Sequence, residues 1–309
     1  MRYFDCHADT LTEIINPGED LEKNSCDLDL ERTERFADPY TQIFAIWRDR
    51  RKMDEKKPEE EFLKLYRRGT ELLAEADQRI LWCRNAKEMD QAHKSGKSAA
   101  FLSIEDVSVA GSCADQLRSL GFRFAMLTWN YENLYACGAA SDQRKGLTER
   151  GKELAERLID QGIILDISHL SDQGAEDLLT LTDVPVIASH SNVRSVCNHP
   201  RNLPDGLIRE LIRRKGLIGM NFFAPFVGRS PRMEDLLRHM DTVLNMGGED
   251  VLALGGDLDG CDGIFPDGMT GVQSIPALRE AMDQAGFGSE LTEKIFSANA
   301  ENFVRRNVR

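Results

Sequence analysis

The sequence predicts a closed (β/α)₈ barrel, the TIM-barrel architecture, and three observations lead to that fold class. Short apolar runs recur eight times along the 309 residues. Amphipathic stretches, with apolar residues three or four positions apart, lie between the runs. No G-x-G-x-x-G or Walker motif follows any run, which disfavours an open nucleotide-binding sheet. A buried parallel strand followed by a helix, repeated eight times, is the pattern of the closed barrel.

The eight runs are the predicted strands, and they cover residues 3–7, 42–46, 99–104, 124–128, 163–167, 184–188, 217–221 and 251–254. The predicted helices between them cover residues 59–76, 147–161, 172–181, 204–214 and 233–246. The tail at 272–309 predicts two further helices packed outside the barrel, with a break at 286–288. We therefore expect residues 1–309 to form one barrel domain.

The composition argues against two classes of partner. The 39 Lys and Arg against 52 Asp and Glu give a formal charge of −13, so we expect neither nucleic-acid nor membrane binding. No run approaches the roughly 18 apolar residues of a membrane span. The first residues are too poor in apolar side chains for a signal peptide, and the seven cysteines are scattered without a Cys-x-x-Cys pair. We expect a cytoplasmic protein with free thiols.

Polar side chains follow the apolar runs at the carboxyl ends of the strands, where barrel enzymes carry their active sites. A single residue of this kind has an ordinary explanation, as a hydrogen-bonded structural histidine or as an aspartate that caps the next helix. Packing explains the whole set less easily, because a closed barrel makes these strand ends converge. The set comprises His7, Asp9, Glu105, His169, His190 and Asp257.

These residue types predict a catalytic metal site. Positions 7 and 9 are two apart, so their side chains project from the same face of a strand. Histidine nitrogen together with carboxylate oxygen is the donor mixture that zinc and its neighbours use in hydrolases. None of the residues is a cysteine, which favours an open catalytic site over a closed structural one.

The polar strand ends belong to a set of motifs that resembles the membrane dipeptidase (renal dipeptidase) family, a branch of the metal-dependent amidohydrolases. The resemblance covers most of the chain, and the combination is specific although each motif alone is weak. The motifs are His7-Ala8-Asp9, Ile104-Glu105, Asp166-Ile167-Ser168-His169, Ser189-His190-Ser191, the stretch 198–205 and Gly255-Gly256-Asp257-Leu258-Asp259-Gly260. The resemblance implies a cytoplasmic, bacterial-type member that cleaves dipeptides, L-D as well as L-L, on a (β/α)₈ barrel.

The resemblance also implies two Zn²⁺ ions per chain, although other divalent metals suit the same donors. His7 and Asp9 would bind one ion, His169 and His190 the other, and Glu105 would bridge them. A shared carboxylate and a bridging hydroxide reduce the repulsion between two neighbouring dications and lower the pKa of the bound water. That hydroxide would attack the amide bond of the dipeptide.

For the substrate, the resemblance assigns two charged residues. Asp257 would contact the amino group and handle the transferred proton, as amine anchor or as general base. Arg201 would bind the terminal carboxylate, for which its planar guanidinium is well shaped. Trp129 stands where the animal enzymes carry a histidine that helps to bind substrate, so we expect Trp129 to wall the pocket and Asn130 to supply polarity. Members of the family are often dimers, so the resemblance is compatible with a homodimer, but the sequence carries no interface signature.

Rival interpretations remain open from the sequence. The same metal chemistry serves another small amide, an N-acyl amino acid, a lactone or a β-lactam, and a metal-binding member with little turnover would also keep these residues. A mononuclear deaminase on a similar barrel is disfavoured by the missing His-x-His and by Glu105. We expect Asp259 to be a loop or capping residue, His199 a loop residue, and His93 and His239 surface residues.

Overall fold

The computed structural model describes residues 1–14, 18–54 and 57–309, and its central feature is a parallel β-sheet that closes on itself. The strands of this sheet are β1 (Tyr3–Ala8), β2 (Tyr40–Trp47), β3 (Ile80–Trp82), β4 (Ser98–Glu105), β5 (Phe122–Met126), β6 (Ile164–Asp166), β7 (Ile187–Ala188), β8 (Leu217–Met220) and β9 (Leu252–Leu254).

Eight of these strands form a ring in the order β1, β2, β4, β5, β6, β7, β8, β9. Two of the strand pairings that complete the ring matter for the site. β1 pairs with β9 through Asp5 and Leu254, and β2 pairs with β4 from Thr41 opposite Ala99 to Trp47 opposite Glu105. Each of the eight predicted apolar runs overlaps one ring strand. The predicted closed (β/α)₈ barrel is therefore confirmed.

The sequence analysis missed β3, which lies beside the ring. β3 pairs with the first residues of β4, whereas β5 pairs with the later residues of the same strand. The two strands therefore share one side of β4. β3 has only three residues, and Leu81 and Trp82 are partly exposed, so it lacks the continuous apolar run by which buried parallel strands are predicted.

Helices surround the ring and follow most of its strands. The α-helices are α1 (Thr10–Glu13), α2 (Leu30–Thr33), α3 (Pro58–Glu75), α4 (Ala86–Lys94), α5 (Glu149–Asp160), α6 (Asp172–Leu181), α7 (Asp205–Arg214), α8 (Ala224–Val227), α9 (Asp235–Asn245), α10 (Ile275–Gln284), α11 (Ser289–Glu293) and α12 (Asn299–Asn307). Short 3₁₀ segments cover Arg50–Lys52, Val107–Gln116 and Val272–Ser274.

The five predicted helices correspond to α3, α5, α6, α7 and α9. Side-chain caps define several helix starts, as at Thr148 and Ser171, whose hydroxyls accept hydrogen bonds from the backbone N–H groups of Gly151 and Gly174 at 3.0 Å. The prediction missed α4 and the four-residue helices α1, α2 and α8. The four-residue helices do not complete the two turns that a helical periodicity needs to be recognised.

The tail carries the two predicted helical segments. The first is α10, and the second runs from α11 through a π-helical segment (Lys294–Ala298) into α12. None of the helices in the described ranges is long and apolar enough to cross a membrane.

A buried cluster fills the end of the barrel away from the predicted site. Each of the eight ring strands contributes a side chain to it, including first residues such as Ile164 of β6 and Leu217 of β8. Phe303 and Val304 of α12 belong to the same cluster. The amino-terminal end is therefore packed solid, as in other barrels of this type, and the carboxyl-terminal end is left for the site.

Candidate metal centre

Six predicted site residues lie at the carboxyl-terminal end of the ring and converge there. His7 is the penultimate residue of β1 and Glu105 is the last residue of β4. The other four residues follow their strands within three positions. The backbone N–H of Asp257 donates to the carbonyl of His7 at 3.2 Å, and that of Asp9 to the carbonyl of Leu258 at 2.9 Å. The closure of β1 against β9 thus brings the first and last of these residues together.

The donor atoms form three overlapping groups, in each of which the ligand atoms lie within 4.8 Å of one another. The groups are His7, Asp9 and Glu105; Glu105, His169 and His190; and His7, His190 and Asp257.

Glu105 lies between the two histidine groups. Its Oε2 is 2.9 Å from Nε2 of His7, and its Oε1 is 2.9 Å from Nε2 of His169. His169 Nε2 is in turn 2.8 Å from His190 Nε2. Oδ2 of Asp9 lies 3.6 Å from the same His7 nitrogen. One carboxylate therefore faces both candidate cation positions with a different oxygen.

The residues fit metal ions. His7 is fully buried, yet among the described residues neither of its ring nitrogens makes a contact with hydrogen-bond geometry, even though Nε2 lies 2.9 Å from Oε2 of Glu105. Oε2 of Glu105 and Oδ1 of Asp9 also lack a hydrogen-bond partner there. Buried polar atoms without a partner are rare because each costs free energy. The unpartnered atoms here are all nitrogen and oxygen donors of the kind that zinc and related divalent metals take.

Gly260 leaves space for these carboxylates. A Cβ atom at this position would lie 2.2 Å from Oδ1 of Asp257 and 2.5 Å from Oδ2 of Asp9. Any other residue would therefore push the two acids apart. The absence of a side chain here keeps the acids close together.

The electrostatics of the site call for positive charge. Burial raises the pKa of Asp9 to about 8, and the nearby charge of Glu105 raises it further. Burial also raises the pKa of Asp257 to about 6, although His7 opposes the change. Burial and the charge of Arg201 lower the pKa of His169 to about 4. His7 and Glu105 differ from these groups: although burial opposes both shifts, their mutual attraction raises the pKa of His7 and lowers that of Glu105. For the other three groups, acids that resist ionisation and a histidine that resists protonation are the environment that divalent cations relieve.

Asp257 is oriented by its backbone and by one amide. Its φ of 57° is in the left-handed region, which aspartate adopts more readily than most other residues. Nδ2 of Asn221 donates to its Oδ2 at 2.9 Å and also donates to the carbonyl of His190 at 3.2 Å. Sequence reasoning missed Asn221, although it closes the seventh apolar run in the same way that the predicted residues close theirs.

Arg201 is buried beside this cluster. Its side chain is 4% exposed, and its N–H groups reach Ser191 Oγ at 3.4 Å, His169 Nε2 at 3.2 Å and the carbonyl of His190 at 3.4 Å. Its Nε has no partner in the described part of the chain, and burial lowers its pKa to about 10. These long contacts all go to neutral groups, so among the described residues the buried cation has no carboxylate within ion-pair distance.

A pocket of about 420 Å³ opens above the cluster. Trp129 lies in one wall, with its ring centroid 5.3 Å from that of Trp47 and 6.2 Å from that of His169. Asn130 also lines the pocket, and its Oδ1 is 3.0 Å from Nδ1 of His169. Further lining residues include Glu13, Asp49, Arg51, Lys52, Phe223, Phe226, Asp259 and Asp262.

Sequence reasoning also missed two buried aspartates beneath the site. Asp5 accepts hydrogen bonds from the N–H groups of His7 at 2.9 Å and Gly256 at 2.9 Å, and so ties the ends of β1 and β9 together. Asp166 accepts from both the N–H and the hydroxyl of Ser168 and from the N–H of Ser189. An acidic residue inside an apolar run was the available signal for both.

Two histidine predictions were wrong. His239 is fully buried, where its Nδ1 accepts from the N–H of Val193 at 3.1 Å and its Nε2 lies 3.0 Å from the carbonyl of Val227. His93 is half-buried and its Nε2 is 2.9 Å from the hydroxyl of Thr41. Both rings pack against the barrel because backbone or hydroxyl groups there satisfy their nitrogens.

His199 and Asp259 lie in loops, as expected. Nδ1 of His199 accepts from the backbone N–H of Arg201 at 3.1 Å. Asp259 accepts from the hydroxyl of Thr10 and the N–H of Asp27, both at 2.5 Å. Asp259 therefore ties two loops together beside the pocket.

Comparison with known proteins gives a consistent result. A family model described as membrane dipeptidase, peptidase family M19, matches residues 1–306. Dipeptidase tcpJ of Claviceps purpurea is 30% identical over 235 residues, which is 74% of this chain and 55% of the fungal protein. The match thus spans about half of that relative's length.

Two solved structures resemble the whole fold. That of dipeptidase AC, a metallopeptidase, has a TM-score of 0.89 at 25% identity and covers 100% of this chain and 99% of its own. That of a metallopeptidase from Rhodobacter sphaeroides, liganded with a phosphinate mimic of L-Ala-D-Ala, has a TM-score of 0.85 at 25% identity and covers 99% of both chains. The chain belongs to the membrane dipeptidase family, peptidase family M19.

Proposed function

We propose that this protein is a zinc-dependent dipeptidase that hydrolyses the amide bond of dipeptides, with residues 1–309 acting as one hydrolase domain. The observation that carries the proposal is the position of Arg201. A buried arginine without an anionic partner is costly, and this one lies against the donor groups of the candidate metal centre. A substrate carboxylate would supply the missing partner next to the hydrolytic groups.

The donor groups suggest where two metal ions would bind. His7 and Asp9 would hold one ion, His169 and His190 the other, and Glu105 would bridge them through its two oxygens. When bound, the ions would polarise the scissile carbonyl and acidify a water molecule. Family membership supports metal dependence; zinc and the number of two are part of the proposal.

The chain's own residues would select and orient the substrate. Arg201 binds the terminal carboxylate as a fork of two N–H groups. Asp257, held by Asn221 at 2.9 Å, binds the substrate amino group and carries the proton to the leaving nitrogen. Recognition of both termini by Asp257 and Arg201 in one pocket of about 420 Å³ would exclude longer peptides, because their two termini lie farther apart than those of a dipeptide.

The stereochemistry of the carboxyl-terminal residue has support from one relative. The R. sphaeroides metallopeptidase is liganded with a phosphinate mimic of L-Ala-D-Ala, and we extend acceptance of a D residue at this position to the present chain, with L-D and L-L dipeptides both hydrolysed. Trp129 and Asn130 would border the bound dipeptide in this arrangement. The cytoplasmic location remains a prediction from the sequence, and a homodimer remains an assembly compatible with the resemblance.

The test combines metal analysis with a substrate panel. The purified protein is analysed for zinc, stripped with a chelator and reloaded. L-Ala-L-Ala and L-Ala-D-Ala are compared with the amide of L-Ala-L-Ala, with N-acetylalanine and with tri-alanine. Near two zinc per chain, and zinc-restorable cleavage that is much faster for the free dipeptides than for the dipeptide amide, N-acetylalanine or tri-alanine, would support the proposal.

Other outcomes would contradict it in distinct ways. Zinc binding with cleavage of N-acetylalanine but of neither dipeptide would move the activity to another amide. A protein that binds no metal, and whose activity zinc does not restore, would overturn the assignment of the ligands.

A further inference from the structure

The tautomer of His169 can be read from its neighbours. Nη2 of Arg201 lies 3.2 Å from Nε2 of His169 in hydrogen-bond geometry. A guanidinium only donates hydrogen bonds, so Nε2 must accept and carries a lone pair. In a neutral imidazole the hydrogen is then on Nδ1.

The partner of Nδ1 is Asn130, whose Oδ1 lies 3.0 Å away. An amide oxygen only accepts, so this contact is a hydrogen bond from Nδ1–H to Asn130. The two contacts on opposite sides of the ring therefore require the same tautomer. With Nε2 as an acceptor, its approaches to Glu105 Oε1 at 2.9 Å and to His190 Nε2 at 2.8 Å bring lone-pair atoms together, which is the arrangement that a shared cation would stabilise.

The backbone holds Asn130 in this place. The N–H of Ala140 donates to the carbonyl of Asn130 at 2.9 Å, and the N–H of Ala139 to the carbonyl of His169 at 2.8 Å. Gly138 allows this close approach, because a Cβ there would lie 2.3 Å from the carbonyl carbon of Asn130. These hydrogen bonds hold Ala139 and Ala140, later in the loop after β5, against His169 and Asn130.

We propose that Asn130 is a positioning residue that locks His169 in the tautomer whose Nε2 can bind a metal ion. The inference rests on the proposed metal site and gives Asn130 a task other than contact with substrate. An acceptor on Nδ1 fixes the ring and increases the basicity of the liganding nitrogen, and loss of such partners commonly weakens metal binding by roughly 10–100-fold.

The second histidine of the pair has no such lock. Nδ1 of His190 lies 2.7 Å from the hydroxyl of Ser189, and a hydroxyl can either donate or accept. Ser189 is therefore compatible with both tautomers of His190. Among the described residues, the Nδ1 partner fixes the tautomer of His169 but not that of His190, and this makes Asn130 the informative position to change.

Two variants of nearly equal size separate the lock from simple packing. Asn130→Leu removes the acceptor, while Asn130→Asp keeps an oxygen that only accepts. Glu132→Gln is the matched control, because Glu132 is on the same loop but its side chain is half-exposed and paired with Lys145 at 2.7 Å. Zinc affinity is measured on metal-free protein by competition with a chromogenic chelator, which requires no activity.

We expect Asn130→Leu to bind at least one zinc roughly 10–100-fold more weakly, whereas Asn130→Asp and Glu132→Gln stay within a few-fold of the unchanged protein. A second measurement is ¹⁵N NMR of the histidine rings of the metal-free protein near pH 8, with the His169 signals identified by their loss in His169→Gln. We expect Nδ1 of His169 to be protonated in the unchanged protein and in Asn130→Asp.

A protonated Nε2 on His169 in the unchanged protein would overturn the inference, as would wild-type zinc affinity in a folded Asn130→Leu. If Asn130→Leu does not fold, the NMR tautomer and the affinity of Asn130→Asp still decide. Failure of the proposed function is a separate result, because it shows in the unchanged protein itself, either as no zinc binding or as zinc binding without dipeptide cleavage.

Discussion

Arg201→Met should lower dipeptidase activity and at the same time stabilise the metal-free fold. Methionine has a similar length but no charge, so it fills the space of the arginine without its requirement for an anion. In the free protein the guanidinium is 4% exposed and makes only long contacts with neutral groups. The substitution therefore separates what the residue does for the substrate from what it costs the fold.

The structure gives the size of both effects. Burial lowers the pKa of Arg201 from 12.5 to about 10, which disfavours the charged side chain by roughly 3 kcal/mol. The arginine is charged in both the folded and the unfolded protein at pH 7, so this cost is fully present there. Allowing for its lost contacts, we expect the free energy of unfolding to rise by about 1–2 kcal/mol and the melting temperature by about 2–4 °C.

The kinetic effect has the opposite sign. Two charge-assisted hydrogen bonds to the substrate carboxylate are worth about 3–4 kcal/mol together, so kcat/KM for L-Ala-L-Ala should fall roughly 100–1,000-fold. The dipeptide amide lacks that carboxylate, and its already low rate should change little.

Arg194→Met is the matched control. Arg194 pairs with Asp172 at 2.5 and 2.7 Å, so its removal should destabilise the protein without altering the ratio between dipeptide and amide. The measurements are thermal unfolding of the metal-free proteins and steady-state kinetics of the zinc-loaded ones. Equal losses on both substrates, or a destabilised Arg201→Met, would refute the assignment of Arg201 to the carboxylate.

Three further predictions concern the metal centre and one end of the chain. Glu105→Gln should lose at least one zinc after dialysis, because a neutral amide bridges two cations poorly; two retained ions with full activity would exclude the bridge. Gly260→Ala should bind zinc at least tenfold more weakly in chelator competition, because its Cβ would lie 2.5 Å from Oδ2 of Asp9, and unchanged affinity would contradict this. The pKa of Glu301 lies below its ordinary value. Burial raises this pKa, but hydrogen bonds from Arg2 lower it by more. The contribution of ionised Glu301 to the free energy of unfolding should therefore be complete above about pH 4.3. It should be lost as the pH falls through the lower pKa that Glu301 has in the folded protein. In chemical unfolding of the metal-free proteins, Glu301→Gln should lack this acid-dependent loss. If the free energy of unfolding falls with pH in parallel for the unchanged protein and Glu301→Gln, Glu301 makes no such contribution.

The sequence could predict the ring and the convergence of its polar ends because both follow from local patterns. An apolar run marks a strand, and the polar residue that closes it marks the carboxyl-terminal edge. His7 and Glu105 could be placed in this way without knowing which strands are neighbours, because ring closure brings all such ends together. Asn221 obeys the same rule, but an amide closing a run attracts less notice than a histidine or an acid.

The remaining features depend on contacts between distant parts of the chain. His239 has the helical spacing of its buried neighbours Leu236 and Met240, but its burial depends on partners at Val193 and Val227, which no local pattern identifies. The contact of Asn130 with His169 is of the same kind. It depends on how the loop after β5 folds back, and spacing in the sequence carries no information about that path.

The pairing of β1 with β9 has a consequence for how the protein is made. His7 leaves the ribosome about 250 residues before Asp257, so the nascent chain holds only separate pieces of the centre while the residues between them are made. Contacts between such distant positions form late in folding. We therefore expect the barrel to close first and the proposed metal ions to enter afterwards through the open end, so that metal supply would set when the finished protein becomes active rather than whether it folds.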